Sequence, residues 1–167
     1  DGDMDILSTS FNDNTVNLHQ NDGNQNFSSY LISDGANYGA SSVRTVDVDG
    51  DGDLDVLSTS VRDNQVAWYE NQGNQEYPAH IITSSLPDAN TVNAADVDGD
   101  GDLDLAVGNF DGNNEIYLNS GTALATTPAW TSSNSLNTLS FAWGDVDGDG
   151  DLDLAVGNFD SNEVYLN

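Results

Sequence analysis

Asp47-Val-Asp-Gly-Asp-Gly-Asp-Leu-Asp55 decides the fold of this chain. The same nonapeptide returns at Asp96 to Asp104 and at Asp145 to Asp153, and its last five positions open the chain as Asp1-Gly-Asp-Met-Asp5. Carboxylates at loop positions 1, 3, 5 and 9 (Asp47, Asp49, Asp51, Asp55) alternate with small or apolar residues, so a tight turn can aim them at one centre. They are hard oxygen donors, of which calcium takes six to eight at about 2.3–2.6 Å. Gly52, at position 6, gives the backbone freedom for a bend that lets position 7, Asp53, offer its carbonyl while its side chain faces solvent. Two carboxylates about 4 Å apart repel by roughly 4 kcal/mol at an effective dielectric of 20, so a loop holding five of them is expected to open or take up protons without a cation. A merely solvated acidic turn needs no fixed spacing and would not reproduce one three times.

The loop is not an EF-hand, which wants a bidentate Glu at position 12 and flanking helices. Position 12 is Ser58, Val107 or Val156, and each loop runs into a short apolar stretch: Leu54-Asp-Val-Leu-Ser58, Leu103-Asp-Leu-Ala-Val107 and Leu152-Asp-Leu-Ala-Val156. Such runs read as strands buried on both faces, too short before their Gly or polar stop for a helix. The ion is therefore expected in a strand-to-strand connection.

Composition narrows the partners. A chain of 167 residues with net charge −27 has two basic residues, Arg44 and Arg62, and no lysine. Eighteen of the 29 acidic residues lie in the loops, so the imbalance belongs mainly to the sites. Nucleic acid and anionic membrane surfaces are poor partners for that field, because phosphate binding releases counterions only against Lys and Arg. Without cysteine there is neither a disulfide staple nor a thiolate metal site, which leaves packing and calcium to hold the fold. No apolar run approaches 18 residues, so membrane insertion is not expected.

With position 5 as origin, the repeats fall at Asp1, Asp51, Asp100 and Asp149, at periods of 50, 49 and 49 residues. That spacing suits a unit of four short strands, the length of one propeller blade. Each unit reads strand, calcium loop, strand, polar turn, strand, longer loop, strand. One array over residues 1–167 divides into units at about 1–42 (incomplete), 43–91, 92–139 and 140–167 (incomplete). The first two units agree in detail: Asp63-Asn64 matches Asp13-Asn14, and Asn71-Gln-Gly-Asn-Gln75 matches Asn21-Asp-Gly-Asn-Gln25. The last two agree as closely, Glu115-Ile-Tyr-Leu-Asn119 matching Glu163-Val-Tyr-Leu-Asn167. Thr126 to Ser135 reads as a Ser/Thr-rich surface loop entering a strand at Trp130. The fold class is all-β: blades of four antiparallel strands, about three and a half in this chain.

The repeated Asp-x-Asp-x-Asp-Gly-x-x-Asp loop, with a small-residue strand before it (Val92-Asn-Ala-Ala95, Phe141-Ala-Trp-Gly144) and Leu-Asp-Leu-Ala-Val-Gly-Asn after it, resembles the FG-GAP/VCBS repeat. That family occurs in the integrin α-subunit head and in many secreted bacterial proteins. The resemblance covers essentially the whole chain. It implies a calcium-decorated β-propeller, usually of six to eight blades, secreted or at the cell surface and working in adhesion or glycan recognition. It places calcium ligands at Asp47, Asp49, Asp51, Asp53 and Asp55, at Asp96, Asp98, Asp100, Asp102 and Asp104, and at Asp145, Asp147, Asp149, Asp151 and Asp153. The expectation is thus three complete Ca2+ sites and a partial fourth at Asp1, Asp3 and Asp5, where positions 1 and 3 are lacking. Because ring closure normally needs at least four blades, the two ends are expected to be covered by further blades of a longer chain or by self-assembly.

Other constellations are weaker. His19 and His80 are the only histidines, and each stands where a sister repeat uses an aromatic, Tyr69 and Tyr30, so packing is expected of them before catalysis. Trp68, Trp130 and Trp143 recur at blade positions and read as core or interblade packing before sugar platforms. Gly50-Asp-Gly52 is no phosphate cradle, since its aspartates would repel phosphate. No Gly-x-Ser-x-Gly elbow or zinc-type His/Glu pair appears, and the loop carboxylates are committed to an ion, not poised for proton transfer. The expectation is a non-catalytic module binding a glycan or an extracellular protein. The alternatives are a calcium-stiffened segment of a large surface or filament protein, and a propeller of a polysaccharide lyase.

Overall fold

The computed structural model describes residues 2–34 and 38–167. Fourteen strands and no helix are present among the described residues. The first sheet holds β1 (Ile6–Ser10), β2 (Thr15–Asn21) and β3 (Phe27–Asp34); the second holds β4 (Ala40–Val46), β5 (Asp55–Ser60), β6 (Gln65–Tyr69) and β7 (Ala79–Thr83). The third holds β8 (Ala89–Ala95), β9 (Asp104–Asn109), β10 (Gly112–Tyr117) and β11 (Trp130–Leu136); the fourth holds β12 (Thr138–Gly144), β13 (Asp153–Asn158) and β14 (Glu163–Tyr165). Within each sheet the strands meander antiparallel in chain order, as propeller blades do. The strands that open the sheets, β4, β8 and β12, begin two or three residues ahead of the unit divisions read from the repeat.

Adjacent sheets touch along their opening strands, β1 beside β4, β4 beside β8 and β8 beside β12. This stacking explains the apolar runs after the acidic loops. Every residue of β5 and of β9 is buried, because alternate side chains serve two different cores. Val56, Ala67 and Tyr69 face the first sheet and pack with Val16, Ala40 and Leu7. Leu57, Val66 and Trp68 face the third sheet and pack with Val92, Leu105, Val107 and Tyr117. A strand sandwiched between blades has no polar face to offer, hence the missing alternation.

Polar bonds repeat with the blades. Ser41 Oγ donates to the Ala89 carbonyl at 3.2 Å, and 49 residues later Asn90 Nδ2 donates to the Thr138 carbonyl at 3.0 Å. Asn14 and Asn64 adopt positive φ, 60° and 58°, in the β1–β2 and β5–β6 turns, where asparagine tolerates the left-handed region. Their Oδ1 atoms accept the N–H groups of Gly39 and Asp88 in the approach to the next blade. Arg62, one of the two cations, lies over the rings of Phe11 and Tyr38, 4.6 and 5.0 Å from the centroids, and so joins the first two blades at the edge opposite the acidic loops.

Three sequence expectations meet differences. The strand expected at Trp130 begins there, but it runs on to Leu136, so the residues up to Ser135 that read as loop are strand, because β11 pairs with β10 despite its polar side chains. The closing strand, which the sequence reads as Val164-Tyr-Leu-Asn167, spans Glu163–Tyr165 and ends before Leu166. His80 does stack on Trp68, centroids 4.4 Å apart, but His19 sits between hydroxyls, bonded to Ser8 and Ser29 at 2.8 Å each.

Candidate metal centres

Each acidic nonapeptide joins a blade's first strand to its second: residues 47–54 between β4 and β5, 96–103 between β8 and β9, and 145–152 between β12 and β13. The ladder ends where the loop begins, with Val46 opposite Asp55, Ala95 opposite Asp104 and Gly144 opposite Asp153. Position 9 is therefore fixed on a strand while position 1 is the first residue past the other strand, and pairing the two strands brings their carboxylates together.

In each loop, carboxylate oxygens from positions 1, 3 and 9 lie within 4.8 Å of one another: Asp47, Asp49 and Asp55; Asp96, Asp98 and Asp104; Asp145, Asp147 and Asp153. Backbone donors shape the turn. Gly50 and Gly52 N–H groups donate to the two oxygens of Asp47 at 2.9 and 3.1 Å, and Asp51 N–H donates to Asp49 Oδ1 at 3.2 Å. The same bonds recur from Gly99 and Gly101 to Asp96 and from Gly148 and Gly150 to Asp145. Position 6 takes φ of 95°, 100° and 102° in the three loops, a conformation open to glycine.

Positions 5 and 7 lie outside these triads. Asp51, Asp100 and Asp149 each turn a carboxylate oxygen back onto the N–H of position 7 at 2.8–3.0 Å. Asp53 and Asp151 are exposed, and Asp102 is partly covered. In the opening half-loop, Asp5 keeps one feature of position 9, accepting the Asn21 N–H at 2.8 Å; Asp1 lies outside the described residues, and Asp3 belongs to no triad among them.

The ninth aspartates are the enclosed members, Asp55 1%, Asp104 0% and Asp153 1% exposed. Burial pushes the carboxyl groups of Asp55 and Asp104 above the ordinary range, against the pull of two backbone N–H donors each. Asp153 moves the other way, held down by N–H bonds from Asn167 and Val146. It is covered by its own loop but sits in a sheet with one neighbour, so less surrounding protein desolvates it. Asp147 is raised: the Asp149 N–H lowers it, but desolvation and the carboxylates of Asp149, Asp153 and Asp145 together outweigh that bond.

An asparagine from outside the acidic loop completes each site. It follows the blade's third strand: Asn71 N–H donates to Asp55 Oδ1 at 2.7 Å, Asn119 to Asp104 Oδ1 at 2.8 Å and Asn167 to Asp153 Oδ1 at 2.9 Å. The other oxygen of each ninth aspartate accepts the N–H of loop position 2, from Val48, Val97 or Val146, at 2.8–2.9 Å. Each oxygen of the buried carboxylate thus holds one backbone donor, and the group still lies within the triad.

The FG-GAP-like repeat family model matches this chain three times, over residues 1–58, 47–107 and 96–156. The chain belongs to the FG-GAP-like repeat family. Each match runs from one acidic loop through the next, so the family's repeat unit and the loop-to-loop period coincide. No curated protein compared with the chain matches it. Within this FG-GAP-like array, the three aspartate triads could hold metal ions, and the donor set fits a hard divalent cation: only oxygens, converged at one ladder end, with an open glycine turn beside them.

Proposed function

We propose that this FG-GAP-like array is a non-catalytic recognition module of the cell exterior, in which Ca2+ at three loops stiffens one edge of the blades for a glycan or extracellular protein ligand. The observation that carries the reading is the recurrence of one carboxylate triad at the same ladder end of three successive blades. Six to eight oxygen ligands suit calcium, and the triad supplies three, leaving room for a backbone carbonyl, the position 5 carboxylate and water. Recognition is supported by what the metal loops hold: through Asn71, Asn119 and Asn167 they touch the connections that leave each blade's third strand. A cleft of about 450 Å³ between the third and fourth blades, lined by Trp130, Trp143 and Tyr165, offers aromatic faces of the kind on which sugars stack.

A Ca2+ titration against a chelator tests the metal. Each site is expected to add about 2.7 kcal/mol when Ca2+ is a hundredfold above its dissociation constant. Asp49→Asn, Asp98→Asn and Asp147→Asn combined are expected to abolish that gain. An unchanged melting temperature and protease resistance in saturating Ca2+ would sink the reading. Retention on immobilised glycans and extracellular-matrix proteins, in Ca2+ and in chelator, then tests recognition. Turnover of a glycan would overturn the non-catalytic assignment.

A second reading, a calcium-stiffened segment packing against further blades or other copies, is favoured by apolar side chains exposed on the first and last sheets, including Leu31 (54%) and Val164 (54%). Sedimentation decides: a stable monomer at all concentrations counts against it.

A further inference from the structure

The same asparagines do more than hold their own loops. Asn119 donates through Nδ2 to the Leu103 carbonyl of its own blade at 3.2 Å and to the Val48 carbonyl of the preceding blade at 2.8 Å. Val48 is position 2 of the preceding acidic loop, and its N–H is the group that donates to Asp55 Oδ2. Asn167 repeats the arrangement one blade on, donating to the Val97 carbonyl at 2.8 Å, and the Val97 N–H donates to Asp104 Oδ2. The orientation of Asn119 is settled as well, because its Oδ1 accepts the N–H groups of Ser120 and Gly121 at 2.8 and 3.2 Å. Every polar group of this 6% exposed side chain is used.

Hydrogen bonds joined through single residues therefore link the ninth aspartates of three blades: Asp55 to the Val48 N–H, the Val48 carbonyl to the Asn119 side chain and the Asn119 N–H to Asp104, then Asp104 to the Val97 N–H, the Val97 carbonyl to the Asn167 side chain and the Asn167 N–H to Asp153. We infer that Asn119 and Asn167 are positioning residues that couple neighbouring metal sites, so that a cation in one loop raises the affinity of the next. The inference rests on the metal reading proposed above. Fixing Asp104 against a cation holds the Asn119 N–H, and with it the residue whose buried side chain grips the Val48 carbonyl; Val48, held from that side, presents its own N–H to Asp55. Ordering that the second loop would otherwise supply is then already in place. A second effect opposes this one: each bound cation weakens the negative field felt by the next. That effect is screened within about 8 Å at physiological salt and does not pass through asparagine.

The test follows the loops one by one through the amide resonances of Gly52, Gly101 and Gly150 during Ca2+ titration at 0.15 M salt. Asp98→Asn disables the middle loop and is expected to weaken Ca2+ binding at both outer loops, by about fivefold or more. In an Asn119→Ala background the loss at Gly52 is expected to vanish while the loss at Gly150 persists; in an Asn167→Ala background the pattern reverses. The charge removed with Asp98 is common to all backgrounds and cancels. Equal losses at Gly52 with and without the Asn119 amide overturn the coupling and leave the metal reading intact. Glycine amides unmoved by Ca2+ in the parent chain overturn both. Should Asn119→Ala not fold, Asn167→Ala, whose side chain is exposed, carries the same comparison for the other pair of loops.

Discussion

Ligand and scaffold are separate roles in this loop, and single residues distinguish them. Asp49 holds one backbone N–H, that of Asp51, whereas Asp55 holds the N–H groups of both Val48 and Asn71 from a buried position. Asp49→Asn is therefore expected to remove its own loop's share of the Ca2+ response while leaving stability in chelator nearly unchanged. Asp55→Asn should lose that same share and also about 1–3 kcal/mol in chelator, since one amide nitrogen must then face a backbone donor. Urea midpoints with and without Ca2+ check both; equal losses in chelator would refute the division. Gly52→Ala is a third case. A Cβ there meets nothing within 4 Å, but φ of 95° is strained for any L side chain, so a chelator-independent loss of about 1–3 kcal/mol is expected. At this scale the sequence showed the repeated acidic positions and the glycine bend, but spacing alone also aimed position 5 at the centre, whereas Asp51 turns its carboxylate onto the Asp53 N–H and stays outside the triad. Asn119 was visible only as a position repeated at Asn167, and its bond to Val48 spans 71 positions and depends on how two blades abut, which no local pattern encodes.

Strands carry two further expectations. Gly108 in β9 lies where blades three and four meet, and a Cβ there would come within 2.6 Å of Thr91 Cγ2, 2.7 Å of Thr138 Cγ2 and 2.9 Å of Phe141 Cζ. Two threonine methyl groups and the Phe141 ring edge leave no room, so Gly108→Ala is expected to cost about 1–3 kcal/mol by wedging the blades apart. A thermal melt at parental value would show that the interface gives way freely. On β14, the Tyr165 hydroxyl donates to Glu163, and desolvation together with that carboxylate pushes its ionisation up to about 12. The unfolded phenol ionises near 10, so the native state binds the proton more tightly in between. Its contribution to stability is whole below pH 10 and is lost as pH rises through 12. Glu163→Gln is expected to bring the tyrosinate absorbance midpoint down towards 10 without reaching it, because the desolvation remains. The buried strands β5 and β9 were readable from their apolar runs. β11 was readable only at its start, Trp130, since an outer strand that pairs on one side and faces solvent can be built from Ser, Thr and Asn.

Charge acts on the molecule as a whole. Three divalent ions would take the net charge from −27 to −21, and they would do so where the carboxylates are densest. Without them, self-repulsion opposes compaction over distances set by the Debye length, about 30 Å at 0.01 M salt and about 3 Å at 1 M. The melting temperature in chelator is therefore expected to climb steeply with NaCl across that range. In saturating Ca2+ the climb should be much shallower, because bound ions neutralise at contact what salt can only screen from outside. The two curves should converge at high salt only in part, since screening removes repulsion but does not tie positions 1, 3 and 9 together. Melts at four salt concentrations under each condition measure both slopes. Parallel lines would mean that the acidic loops are ordinary surface charge, and that the blades are held by their apolar interfaces alone.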